Sequence, residues 1–447
     1  MKKEKIKRQK KISPREQAFL SLLAIDREGA FSNLEIKKVL SRSLFSKPDM
    51  HLYTALVYGV IQNELYLDHQ INKMIKSRTS LDFKVRELLR MGAYQLLMMD
   101  RIPNYAVISE AVDLCGRHCP RAKGFVNGVL RNMARQKKQL KKWSWSDYEN
   151  SVQALSIRAS VPKAILEIFL QTFGTKKGVN ILMQMNQPSP LTLRTNGLKT
   201  TREDLSRLLE QDGIESEKTA LSEMGLRIKN ASVSELSRTQ AYQAGFCTIQ
   251  DQGAMLIAEA LDPKPGDQVL DMCAAPGGKT TYMAEMMQDC GQITARDLYP
   301  SRLKLVDNQA ALLGITMIKT EVYDGTQFNP KDHERYDRVL LDAPCSGLGI
   351  IRRKPEIRYR FNRKEQKTLI QIQKKMLMHA VDALKPGGTL VYSTCTVDAK
   401  ENDEQIQWLV QNRKNIKIEA TRQISLLDDQ CDGFFIAKMK KIGAAQD

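Results

Sequence analysis

From about residue 245 the chain repeats one pattern: a short apolar run, a glycine turn, then an amphipathic stretch. The runs are Gln268 to Met272, Gln292 to Ala295, Arg338 to Leu341 and Thr389 to Tyr392. Strands that alternate with helices need crossover connections, so they assemble as a parallel sheet with helices on both faces. A last pair of extended segments, near Ile418 and from Gly433 to Met439, closes the sequence.

The preceding half has a different period. From Ser13 to about residue 140 apolar positions recur at helical spacing, as in Phe19, Leu22 and Leu23, then Leu52, Leu56 and Val60, then Leu88, Leu89 and Leu96. Ser13-Pro14-Arg15-Glu16 reads as a helix start, with serine as cap, proline at the first helical position and Glu16 reaching back in a capping box. Residues 150–250 mix helix candidates (Ala164 to Phe173, Arg202 to Gln211) with short strands (Leu191 to Arg194, Leu226 to Ile228). A chain of 447 residues exceeds one ordinary core. The expected order is a basic tail (1–12), an all-helical domain (13–142), a small α+β domain (143–244) and an α/β domain (245–447). A Lys-rich stretch with two tryptophans, Gln136 to Trp145, marks the first linker.

Charge is unevenly distributed. Residues 1–142 hold 29 Lys+Arg against 13 Asp+Glu, whereas the remaining 305 hold 40 against 38. A basic module joined to a near-neutral one implies a polyanion-gripping part attached to a chemical part. With 42% hydrophobic and 27% charged residues, the composition is that of a soluble globular protein. No apolar run approaches the ~18 residues of a membrane span, and the basic N-terminus lacks a signal-peptide core, so a cytoplasmic protein is expected. Eight scattered cysteines agree with a reducing compartment. Cys115, His118 and Cys119 are clustered, but no second ligand pair accompanies them and no metal is expected.

Val269-Leu-Asp271-Met-Cys273 reads as a buried strand emptying into Ala274-Ala275-Pro276-Gly277-Gly278-Lys279-Thr280 and then a helix. Glycines there let backbone approach a ligand, and helix N-terminal amides suit an anionic end. Asp297 follows the next strand, where open α/β sheets hold ribose hydroxyls. Together these point to a nucleoside-type cofactor. A nucleoside-triphosphate loop would need glycine five residues before Gly278; Cys273 stands there, which excludes that reading.

Two further segments carry thiols: Asp342-Ala-Pro-Cys345-Ser-Gly347 and Ser393-Thr-Cys395-Thr396. Both lie just past strands, and carboxyl ends of neighbouring parallel strands open onto one crevice. With the glycine loop, they resemble the paired cysteine motifs of S-adenosylmethionine-dependent RNA cytosine-C5 methyltransferases, in particular the bacterial 16S ribosomal RNA members of the Sun/RsmB type. Phe125-Val-Asn-Gly-Val-Leu-Arg131, Gln250-Asp251 and Asp432-Gly-Phe-Phe-Ile436 fit the same family. Departures are Leu312, where the family usually has arginine, and Ala164, where tryptophan is typical.

The resemblance implies a NusB-like N-terminal domain, an RNA-binding middle domain and a Rossmann-like catalytic domain. It also implies S-adenosylmethionine as cofactor and small-subunit ribosomal RNA as partner. Carried over, Cys395 is the nucleophile on carbon 6, Cys345 the release residue and Asp342 the ring-nitrogen partner. The cofactor residues are Cys273, Ala274, Ala275, Pro276, Gly277, Gly278, Lys279, Asp297, Asp324 and Asp342. The chemistry needs such groups, because carbon 5 of cytosine is a poor nucleophile until a thiolate adds at carbon 6.

Arg352-Arg353-Lys354-Pro-Glu-Ile-Arg358-Tyr359-Arg360-Phe361 follows the Pro-Cys loop; its cations and aromatics read either as an RNA contact or as a solvated basic helix start, and its place beside the thiol loop favours RNA contact. The target base must be unstacked to meet a thiol, so a single-stranded or loop cytosine is expected. Nothing suggests an obligate partner chain, and a monomer is expected. Competing readings are the same chemistry on transfer RNA or 23S RNA, and a non-catalytic ribosome assembly factor.

Overall fold

The computed structural model describes residues 12–75, 81–141 and 151–443. Most of the basic tail and the tryptophan-bearing part of the linker lie outside these residues. The chain divides into two compact units, one running to Glu167 and including Ile351–Arg360, the other made of Ile168–Ile350 and the residues from Phe361 onward.

The first unit is helical. Its opening helix, Pro14–Arg27, has Ser13 as cap, whose Oγ accepts from the Glu16 amide at 3.2 Å. The reciprocal half of the expected capping box does not form. The Glu16 carboxylate turns instead to the basic end of helix Asn104–His118, 3.0 Å from His118 Nε2 and 3.5 Å from Arg117. Two side-chain partners at a helix C-terminus, one of them the Arg117 guanidinium, outcompete one backbone amide. Phe19, Leu22, Leu56, Val60, Leu88, Leu89 and Leu96 share one core. In helix Lys123–Arg135 the seam is Val126, Val129, Leu130 and Met133, leaving Phe125 part-exposed. Cys115 and Cys119 place their sulfurs 3.4 Å apart. Among the described residues no His, Cys, Asp and Glu group fit to hold a metal occurs, and no helix is long and apolar enough to cross a membrane.

The segment Ile351–Arg360 belongs to this unit, and Arg358, Tyr359 and Arg360, expected among the RNA contacts, are bonded within it instead. Arg358 is fully buried and donates to the Gln62 carbonyl at 2.9 Å. The Tyr359 hydroxyl donates to Ile61 O, and Arg360 donates to Ile25 O and Ala30 O. Glu356 accepts from Ser32 Oγ at 2.6 Å. Helix-end carbonyls need donors, and these side chains supply them.

The second unit holds two sheets. Strands β1 (Leu191–Thr195), β2 (Ser216–Lys218), β3 (Gly225–Ile228) and β4 (Cys247–Ile249) form an antiparallel sheet in the order β2-β3-β1-β4. The larger sheet contains β5 (Gln268–Asp271), β6 (Gln292–Asp297), β7 (Ile318–Val322), β8 (Tyr336–Asp342), β9 (Leu384–Thr394), β10 (Ile416–Ile424) and β11 (Phe434–Lys441). Its order is β10-β11-β9-β8-β5-β6-β7. Strands β5 to β9 run parallel, and β11 and β10 add antiparallel at one edge. The order reverses between β5 and β8, so a crevice opens beyond their carboxyl ends. Apolar residues from both faces of this sheet are fully buried, as expected when helices cover both sides.

Candidate active site

At the end of β5, Asp271 is almost wholly buried and shapes the loop that follows. Its carboxylate accepts from the Cys273 amide at 3.3 Å and from Thr280 Oγ1 at 2.8 Å, closing the turn on itself. Burial pushes its pKa up to about 7. Gly277, at φ +109°, caps helix Gly278–Met286, and a Cβ there would lie 3.1 Å from Val306 Cα. Only glycine makes this turn without strain. Burial first, then the nearby carboxylates of Asp271, Asp342 and Asp297, hold the Cys273 thiol well above the ordinary cysteine value. It is a wall of the loop rather than an anion.

Three acidic residues stand at successive strand ends. Asp297, last in β6, accepts from the Tyr299 amide and pairs with Arg302 at 3.0 Å, while Arg302 also donates to Ala275 O at 2.9 Å. Arg302 thus ties the second strand end to the glycine loop; no spacing in the sequence announced it. Asp324, past β7, accepts from the Thr326 hydroxyl and amide, which lower its pKa and keep it anionic. Asp342 ends β8. Its carboxylate accepts from Lys279 Nζ at 2.7 Å and from Ser393 Oγ at 2.8 Å. Burial disfavours the Lys279 ammonium, but Asp342 outweighs it and the pKa rises.

The two predicted thiols meet. Cys345, three residues past β8, and Cys395, the residue after β9, have sulfurs 3.3 Å apart. The Cys395 contact and burial together hold the Cys345 thiol well above the ordinary cysteine value. Their loops are also bridged by the Ser346 and Thr396 hydroxyls at 2.8 Å. The Cys395 carbonyl accepts from the Gly349 amide, and Gly349 O accepts from Gly433 N, each at 2.9 Å. A Cβ on Gly349 would overlap Gly433 O, which explains glycines at both positions.

The residues at the switch point fit a nucleoside-type cofactor. Asp324 is an exposed anion, and Leu298 and Tyr299 beside Asp297 are 51% and 56% exposed, an apolar shelf suited to a base. Cys273 through Lys279, Asp297 and Asp324 are the groups able to hold it.

One connection lay outside what the sequence signalled. Arg194 of β1 is fully buried and reaches the cofactor-loop helix, donating to Gly278 O at 2.5 Å, to Thr281 Oγ1 at 3.0 Å and to both Glu285 oxygens at 2.7 and 3.1 Å. Its fourth partner residue is Gln250. The small antiparallel sheet is thereby clamped onto that helix, from Gly278 in its first turn to Glu285 in its last. The Gln250-Asp251 pair noted in the sequence has half its explanation here; Asp251 caps helix Gln252–Leu261.

A Rossmann-like sheet with a glycine loop at its switch point and paired thiols next to it defines a methyltransferase of the two-cysteine class. Comparison with known proteins agrees. Family models match as 16S rRNA methyltransferase RsmB/F over residues 258–440, NusB over 12–135 and the RsmF/B-like ferredoxin-like domain over 161–234. The probable ribosomal RNA small subunit methyltransferase B of Bacillus subtilis is 35% identical, covering 97% of this chain and 100% of its own length. The ribosomal RNA small subunit methyltransferase B of Klebsiella pneumoniae is 33% identical over 89% of this chain and 91% of its own. A crystal structure of a methyltransferase homologue from Pyrococcus horikoshii, 28% identical, covers 66% of this chain and 99% of its own at TM-score 0.59. Another solved structure, 25% identical, follows 97% of this chain at TM-score 0.78.

The chain belongs to the ribosomal RNA small subunit methyltransferase B family. It is an rRNA methyltransferase with S-adenosylmethionine as cofactor, built from NusB-like, ferredoxin-like and Rossmann-like domains.

Proposed function

We propose that this enzyme methylates carbon 5 of an unpaired cytosine in small-subunit ribosomal RNA through a covalent adduct between Cys395 and carbon 6. The observation that carries the reading is the 3.3 Å approach of two thiols beside a carboxylate anchored by Lys279 and Ser393.

S-adenosylmethionine, when bound, supplies an electrophilic methyl group. The rest falls to the chain's own residues. The Cys395 sulfur forms a bond to carbon 6, and Asp342 holds a proton at the ring nitrogen, so the electron pair moves to carbon 5. After methylation carbon 5 still carries its hydrogen. Cys345, having passed its own proton to solvent, accepts that proton, the carbon 5–carbon 6 double bond re-forms and Cys395 leaves carbon 6 as a thiolate. A thiol kept protonated until then suits a group that must not compete as nucleophile in the first step. Cys273 to Lys279, Asp297, Asp324 and Asp342 hold the cofactor. Ribosomal RNA as substrate sets the work in the cytoplasm, by a single chain.

A large-subunit target is the second reading, since a human 28S rRNA (cytosine(4447)-C(5))-methyltransferase is 35% identical over 70% of this chain. Methyl transfer from labelled S-adenosylmethionine to separate pools of 16S RNA, assembled small subunits, 23S RNA and transfer RNA decides. Label as 5-methylcytidine in a small-subunit pool is expected. Label confined to another pool overturns the substrate, and no label in any pool overturns the reading.

A further inference from the structure

Neither cysteine loop is rigid by its own sequence, yet their sulfurs sit within contact distance. Two consecutive residues, Glu401 and Asn402, hold the flanks of both. Glu401 ends the short helix Ala399–Glu401 that follows the Cys395 loop, and both side chains are fully buried. Glu401 Oε2 accepts from the Ser346 amide at 2.9 Å and from Gln373 Nε2 at 3.1 Å; its Oε1 accepts from Gln366 Nε2 at 2.9 Å. Gln373 Nε2 also donates to Pro344 O at 2.9 Å. Pro344 and Ser346 are the two neighbours of Cys345. Asn402 serves Cys395 in the same manner: its Nδ2 donates to Thr396 O at 3.1 Å, and its Oδ1 accepts from Thr394 Oγ1 at 2.6 Å. Nδ2 also donates to Gln423 Oε1 at 3.1 Å.

We propose that Glu401 and Asn402 are a split positioning pair, Glu401 setting the release thiol and Asn402 the nucleophile. The inference rests on the thiol roles proposed above. Neither residue touches the reacting atoms; each acts through the residues on either side of one cysteine, Glu401 through the Ser346 amide and, by way of Gln373, Pro344 O, and Asn402 through the Thr394 hydroxyl and Thr396 O. The chemistry is side-specific. Glu401 faces three donors and offers none, so an amide there presents its own donors to donors. Asn402 must donate to Thr396 O, so a carboxylate there sets two acceptors against each other.

The test uses the near-isosteric exchanges Glu401→Gln and Asn402→Asp in the full-length enzyme, with Cys345→Ala beside them. Methyl transfer to RNA and the protein–RNA complex surviving denaturation are both measured. Each exchange should slow turnover by about 10- to 100-fold, the usual cost of a small misplacement. E401Q should accumulate the covalent complex as Cys345→Ala does, and N402D should lower it below wild type. A merely structural role would lower the melting temperature of both variants and move the two readouts together. Equal effects on the covalent complex in E401Q and N402D overturn the proposal. Failure of Cys345→Ala to accumulate the complex overturns the thiol roles instead. If either exchange does not fold, Gln373→Met, which removes the donor to Pro344 O, and Thr394→Val, which removes the donor to Asn402, read the same two steps and decide by the same split.

Discussion

Lys279 Nζ lies 2.7 Å from Asp342 Oδ2, joining the glycine loop after β5 to the Pro-Cys loop after β8 across the switch point of the sheet. On the roles proposed above, cofactor binding and cytosine activation share one ion pair. Lys279→Met leaves Asp342 with Ser393 as its remaining fixed partner. Turnover should fall by about 10- to 100-fold through misplacement of the carboxylate, with the KM for RNA little changed. Steady-state kinetics with saturating cofactor measure the split; an effect confined to KM would refute it. Because the Lys279 pKa lies above the ordinary lysine value, no basic limb below about pH 9 should be lost in the variant.

The paired thiols give the sharpest outcome. Cys395→Ala should abolish both methyl transfer and the covalent complex, since the neighbouring sulfur, Cys345, is held as a thiol rather than a nucleophile. Cys345→Ala should accumulate the complex, because addition proceeds while release stalls. Denaturing electrophoresis of enzyme incubated with RNA and cofactor resolves the two. A Cys345→Ala enzyme that turns over normally, or a Cys395→Ala enzyme that still crosslinks, means the roles are assigned wrongly.

Much of this site could be read from the sequence because its chemistry is local. Gly277, Asp342, Cys345 and Cys395 each follow a recognisable apolar strand, and strand ends in a parallel sheet converge by topology. What the sequence hid was long-range and polar. Arg194 lies 91 residues from Glu285, Arg302 reaches back to Ala275, and Glu401 meets Ser346 across 55 residues. No periodicity encodes such pairings. The same limit produced the misreading at Arg358, whose neighbours in sequence look like a solvated basic patch while its partners in space are buried carbonyls. Strand β7 was missed for another reason: its burial is incomplete, and Lys319 and Glu321 break the apolar run.

Arg194 and Glu285 form a fully buried bidentate pair that fastens the ferredoxin-like sheet to the cofactor helix. Removing one partner strands the other charge, so Arg194→Met should destabilise by about 3–5 kcal/mol. Arg194→Met with Glu285→Leu should recover part of that loss, because replacing both members leaves no orphan charge. Urea unfolding of the three proteins gives the energies. A single variant as stable as wild type would show that the clamp contributes nothing.

Asp271 makes a prediction with a definite sign. Its folded pKa is about 7, against an ordinary value of 3.8. Between those values the folded protein holds a proton that the unfolded chain has released, so stability falls as pH rises through the window, by at most about 1.4 kcal/mol per pH unit. Asp271→Asn removes the titration while keeping an acceptor for the Cys273 amide, and Thr280 can turn its hydroxyl to accept from the new amide. The melting temperature of D271N relative to wild type should therefore climb from about pH 4 to pH 7 and level off above. A difference that stays flat across that range would mean that Asp271 is not buried as a neutral acid.

Arg358 separates an RNA contact from a structural one. Its guanidinium is enclosed in the helical unit and bound to the Gln62 carbonyl, so it has no surface to offer a phosphate. Arg358→Met keeps most of the apolar stem but leaves that carbonyl without its donor. The melting temperature should drop, with a stability loss of about 1–3 kcal/mol. RNA affinity at a temperature where the variant is folded should hold, and the slope of log affinity against log salt should change by much less than the ~0.7 expected for one lost phosphate contact on a single strand. A loss of about 0.7 in that slope with unchanged stability would return this arginine to the RNA-binding surface that its sequence neighbourhood suggests.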